Sequence, residues 1–138
     1  MRVGFTGTRD GMTEPQEAAF LDWCEVTSFR EFHHGCCVGS DERAAAFVDT
    51  FGEERPVIHG HPSNLRGMTS PKAVRVSDNV SRPKSPLYRN RDIVDACDIL
   101  LACPKGPEER RSGTWATIRY ARKIGRLVKI IQPDGTIE

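Results

Sequence analysis

Long hydrophobic runs are missing from this chain. The longest apolar stretches reach about five residues, far short of the ~20 that a membrane-spanning helix needs. The first residues, Met1-Arg2-Val3-Gly4-Phe5, run straight into a strand-like pattern without the apolar stretch and cleavage site of a signal peptide. The five cysteines are odd in number and show no framework spacing, and two of them, Cys36 and Cys37, are adjacent. Reduced, buried cysteines in a cytoplasmic protein are therefore expected. Neither C-x-x-C nor H-x-x-x-H spacing occurs. On a strand, His34 and Cys36 would share one face and His33 and Cys37 the other, which splits the only His/Cys-rich stretch, so no metal site is expected. His59 and His61 complete the set of histidines. The P-loop pattern G-x-x-x-x-G-K-[ST] and the dinucleotide pattern G-x-G-x-x-G are both absent.

What remains is a composition of 38 % hydrophobic and 28 % charged residues over 138 positions, which fits one globular domain spanning 1–138 and excludes disorder. The formal net charge is +1, but it is unevenly spread. Residues 1–65 hold 5 basic and 11 acidic side chains, net −6; residues 66–138 hold 15 and 8, net +7. Such a split suits either an anionic partner for the second half or two solvated faces.

Periodicity alternates between strand and helix. Strands are expected at 2–6, 32–37, 56–60, 98–103 and 127–131, the fourth a continuous apolar run of the doubly buried kind. Helices are expected at 14–29, 42–51, 87–96 and 113–125. The first is announced by Thr13, Pro15 and Gln16 in a capping-box arrangement. Residues 61–86, with Pro62, Pro71, Pro83 and Pro86, read as a long loop with a short strand around Ala73–Val76. This order implies right-handed crossovers and an α/β, three-layer Rossmann-like fold with a mainly parallel sheet of about five strands. Ligands of such sheets sit beyond the carboxyl ends of the strands. There lie Gly7–Gly11, Val38–Asp41, His61–Asn64 and Lys105–Thr114.

Four segments carry candidate chemistry. Gly7-Thr8-Arg9 offers backbone N–H groups, a hydroxyl and a guanidinium fork for phosphate, the alternative being an ordinary turn. Gly39-Ser40-Asp41 repeats that design; Ser40 or Asp41 could instead cap a helix, and Asp41 could hold a ribose hydroxyl or act as a base. Arg89-Asn90-Arg91 reads as a pair of ligand-facing cations or as a solvated helix start. Ser112-Gly113-Thr114, preceded by Arg111, opens a helix with free N–H groups.

Read in order, G-T-R after the first strand, G-x-x-x-G-S-D (35–41) after the second, H-P (His61-Pro62) after the third, Y-R-N-R at 88–91 and S-G-T at 112–114 resemble the SLOG superfamily. That superfamily includes the DNA-processing protein A (DprA) Rossmann domain and the LOG phosphoribohydrolases. The resemblance spans nearly the whole chain and is closest between Tyr88 and Arg126. It implies a nucleotide or nucleotide-derived ligand held by Gly7, Thr8, Arg9, Gly39, Ser40, Asp41, His61, Arg89, Asn90, Arg91, Ser112, Gly113 and Thr114, no separate cofactor, and a homo-oligomer. LOG enzymes carry a catalytic Glu three residues after their Gly-Thr pair; here that position is Thr117, and the double glycine before it is missing. Asp41 is then the best-placed carboxylate for N-glycosidic cleavage, with Glu108 or Glu109 as substitutes. Single-stranded DNA binding, the DprA-like alternative, would draw on the basic second half and on Tyr88 and Trp115. A few arginines beside helix starts favour a compact phosphate-bearing ligand over a long polyanion.

Overall fold

The protein is described by a computed structural model covering residues 1–138. Six strands, β1 (Arg2–Gly7), β2 (Glu31–His34), β3 (Val57–Gly60), β4 (Asn79–Val80), β5 (Ile99–Cys103) and β6 (Leu127–Ile130), form one sheet in the order β4-β3-β2-β1-β5-β6. Every neighbouring pair is parallel. Five helices connect them: α1 (Glu14–Val26), α2 (Ser40–Asp49), α3 (Pro71–Arg75), α4 (Pro86–Ala96) and α5 (Gly113–Lys123). No helix is long and apolar enough to cross a membrane.

Alternation along β5 shows how the layers are made. Ile99, Leu101 and Cys103 face a core shared with Phe20 and Cys24 of α1 and Ala44, Ala45 and Val48 of α2. Leu100 faces Ile93, Val94 and Cys97 at the end of α4 together with Ala121 of α5. Ala102 meets Trp115 and Ile118 of α5. A strand buried on both faces needs apolar residues at every position, which is why I-L-L-A-C runs without a polar break. Phe5, Phe20 and Phe32 meet at centroid separations of 5.5 to 6.2 Å within this first core.

The expected fold class holds, with six strands rather than about five. The sixth comes from residues 61–86, where the expected strand at Ala73–Val76 is replaced. Ser70 caps the backbone N–H of Ala73 and Pro71 occupies the first turn, so the segment is the short helix α3, and the added strand is β4. The second strand ends at His34 rather than Cys37. Cys36 takes a left-handed conformation (φ 57°) and its N–H donates to His34 Nδ1, which turns the chain out of the sheet. The first helix stops at Val26, and the second begins at Ser40 and ends at Asp49. At the start of α1 the capping box is as read, and the Gln16 amide also reaches the carbonyls of Pro104 and Ile131, tying α1 to the ends of β5 and β6.

Strand order fixes the location of a site. From β1 the chain steps outward through β2, β3 and β4, then returns to place β5 on the other side of β1. The connections after β1 and β5 therefore diverge to opposite faces, leaving a crevice at their carboxyl ends.

Candidate functional site

That crevice is a cavity of about 550 Å³. The β1 loop contributes Gly7, Thr8, Arg9 and Asp10, and the β2 turn contributes Gly35, Cys37, Val38 and Asp41. Arg89, Asn90 and Ile93 come from α4, and Lys105, Glu109 and Arg111 to Thr114 from the β5 loop and α5. Its size suits a mononucleotide-sized ligand.

Two backbone features shape one end of it. Thr8 N–H is spent on the Cys103 carbonyl, and the Thr8 hydroxyl accepts from Asp10 N–H, which curls the loop. At the start of α5, Ser112 Oγ accepts from Trp115 N–H at 3.2 Å, while the N–H groups of Gly113 and Thr114 find no acceptor within the protein. Such free N–H groups at a helix start favour an anion. Arg9 and Arg111 are exposed beside them and take part in none of the protein's ion pairs. Lys105, by contrast, lies 4.0 Å from the Asp10 carboxylate.

The floor of the cavity brings two buried charged residues, Asp41 and Arg89, up to Gly35. Asp41 Oδ2 accepts from the backbone N–H groups of Gly35 and Cys37, both at 3.1 Å. Arg89 is only 5 % exposed and donates to the carbonyls of Gly35 and His61 and to Asn90 Oδ1. A Cβ at position 35 would lie 2.5 Å from Arg89 Nη1 and 2.8 Å from Asp41 Oδ2, so only glycine lets the two groups approach across the turn. Burial pushes the Asp41 carboxyl up to about 6, against the pull of Arg89 and the two N–H donors. Burial likewise raises the Cys37 thiol, so it lines the cavity as a neutral group rather than a thiolate nucleophile.

Of the expected site residues, Gly7, Thr8, Arg9, Asp41, Arg89, Asn90, Ser112, Gly113 and Thr114 line this one cavity. Arg89 does so as a buried brace rather than a free, solvated cation. Four others sit elsewhere. Gly39 has φ 88° and lies so close to the Arg9 backbone that a Cβ would collide with the Arg9 carbonyl. Its role is to dock the start of α2 against the β1 loop. Ser40 is buried and its hydroxyl donates to the Thr8 carbonyl at 2.6 Å, which steadies that loop from behind. His61 reaches the site only through its carbonyl on Arg89; its ring lies 2.9 Å from the His33 ring, Nε2 to Nδ1. Arg91 points away along α4 and covers the Tyr120 ring at 5.3 Å.

Thr117, where LOG enzymes carry their glutamate, is buried and its hydroxyl donates to the Gly113 carbonyl. No acid or base therefore stands there. Trp115 is 7 % exposed and donates its indole N–H to the Gly106 carbonyl, so it is a core residue rather than a stacking platform. The sequence does not single out Met68 and Cys37, and it marks Lys105 only as the start of the Lys105–Thr114 segment, where it is the first cation past the apolar run of β5.

No protein-family model matches the chain, and no curated protein matches it. Among solved structures, the X-ray structure of TM1055, a Northeast Structural Genomics Consortium target, superposes with a TM-score of 0.64 at 14 % sequence identity, covering 93 % of this chain and 72 % of that one. A likeness at this level shows the Rossmann-like fold.

Proposed function

We propose that the protein binds a nucleotide or nucleotide-derived small ligand at the carboxyl edge of its sheet. One observation carries the reading. The free N–H groups at the start of α5, the unpaired guanidinium groups of Arg9 and Arg111, and the buried Asp41 converge from distant parts of the chain on one cavity. The phosphate meets the N–H groups of Gly113 and Thr114 with Arg9 and Arg111 alongside. A ribose hydroxyl meets Asp41, and Met68, Pro86 and Ile93 offer an apolar wall for the base. The order of motifs resembling the SLOG superfamily supports the same assignment. Isothermal titration calorimetry against a panel of nucleoside mono-, di- and triphosphates tests it: one panel member is expected to bind one-to-one, and an absence of binding by every member to folded protein would overturn it.

A second reading, hydrolysis of a nucleotide N-glycosidic bond, is favoured by Asp41 itself. A carboxyl that titrates near 6 inside a ligand cavity is suited to proton transfer at neutral pH. Asp41 as carboxylate would take a proton from water as its oxygen bonds to C1′ of the sugar, the C1′–N bond breaking and the base leaving with a proton from solvent. Chromatographic detection of free base from nucleoside monophosphates, lost in Asp41→Asn, would support this reading; product formation unchanged in that variant would remove it.

A further inference from the structure

All four histidines of the chain lie on β2 and β3 or one residue beyond, and three of them share one face of the sheet. Parallel register sets His33 opposite His59, and Glu31 lies two residues before His33 on the same face. Glu31 Oε1 is 3.0 Å from His33 Nε2 and 3.5 Å from His59 Nε2. The two imidazoles stack at a centroid distance of 4.5 Å with an interplanar angle of 8°. One carboxylate oxygen and two imidazole nitrogens thus lie within 4.8 Å of one another.

We propose that Glu31, His33 and His59 form a binding site for a divalent cation of the zinc or cobalt type, separate from the nucleotide cavity.

The distances carry the argument. Bonds of about 2.0–2.1 Å at tetrahedral angles place donor atoms about 3.3 Å apart. The two oxygen–nitrogen separations, 3.0 and 3.5 Å, bracket that value. What remains is for the two stacked rings to tip toward each other. His59 is the one free to move, being 26 % exposed against 6 % for His33. Two imidazoles and a carboxylate are the borderline donor set that selects zinc, cobalt or nickel over magnesium or calcium. His33 is also held from behind, its Nδ1 lying 2.9 Å from His61 Nε2, the kind of contact that fixes the orientation of a ligating imidazole. Glu31 and His59 are each about a quarter exposed, which gives the cation access from solvent and leaves room for a water ligand. Strand alternation within β2 separates His33 from His34, as the sequence implied; pairing across to β3 supplies the second imidazole.

The test uses untagged protein freed of metal by a chelator and titrated with zinc chloride and with cobalt chloride. One equivalent is expected by calorimetry, and cobalt is expected to develop visible absorption without a thiolate charge-transfer band. Glu31→Gln and His59→Gln, both on partly exposed side chains and both checked for folding by circular dichroism, are each expected to weaken affinity tenfold or more. Absence of one-equivalent binding, affinity unchanged in both folded variants, or a thiolate band pointing to the cysteines would overturn the proposal.

Discussion

Replacing Asp41 with asparagine separates the electrostatics of the buried carboxyl from its shape. The amide oxygen can still accept from the N–H groups of Gly35 and Cys37, which Asp41 Oδ2 now satisfies at 3.1 Å. What disappears is the ionisation. In the unfolded chain the carboxyl titrates near its ordinary 3.8; in the folded protein burial raises it to about 6. Between those values the folded state binds more protons than the unfolded state, so this group makes stability fall as pH rises. A gap of about two pH units at roughly 1.4 kcal/mol each amounts to about 3 kcal/mol in full, of which about 2.5 kcal/mol is lost between pH 4 and pH 7, the unfolded carboxyl being already more than half ionised at pH 4. Asp41→Asn abolishes that loss. Urea unfolding followed by the fluorescence of Trp23 and Trp115 at pH 4, 5, 6 and 7 measures both proteins. The stability of the variant relative to the parent is expected to climb by about 2.5 kcal/mol over that range. Comparing slopes removes any constant offset from the altered partner of Arg89. Parallel profiles, or a parent that gains on the variant with rising pH, would refute the reasoning. The expected result marks Asp41 as a group retained at the expense of stability, as functional carboxyls commonly are.

Other outcomes follow from the same geometry. Gly39→Ala meets both an unfavourable φ of 88° and the Arg9 carbonyl, and is expected to lower stability by about 2 kcal/mol or more in calorimetric melting. Leu100→Ala empties a fully buried position between β5 and α4 and is expected to lower stability by about 2–5 kcal/mol in urea unfolding. Arg9→Ala removes an exposed cation, so the melting temperature is expected to stay within error while nucleotide affinity by calorimetry falls about tenfold or more.

Much of the fold is written in local pattern. The unbroken apolar run at 99–103 gives the doubly buried strand β5, and Thr13 with Gln16 gives the first helix start, because each signal depends on near neighbours in sequence. Residues 70–80 are less legible: the prolines spread over 61–86 suggest a loop, whereas Ser70 and Pro71 are a helix start, and His34 anchors that helix through Ser77 Oγ at 2.9 Å. The site divides in the same way. Gly7–Arg9 and Ser112–Thr114 announce themselves as small or hydroxylated residues at strand-to-helix turns. Arg89 looks like a surface cation in sequence, since only the tertiary fold reveals the carbonyls of Gly35 and His61 that receive it. Gly39 and Ser40 resemble phosphate contacts because loop-docking residues at such turns are also small.

The central claim is that the edge of the sheet between β1 and β5 binds a nucleotide phosphate. Proton–nitrogen correlation spectra, recorded during titration with the nucleotide that binds tightest in calorimetry, test it residue by residue. The amide signals of Arg9, Gly113 and Thr114 are expected to move most and to saturate together at one affinity. Largest shifts elsewhere, with those three amides unmoved at saturation, would contradict the account.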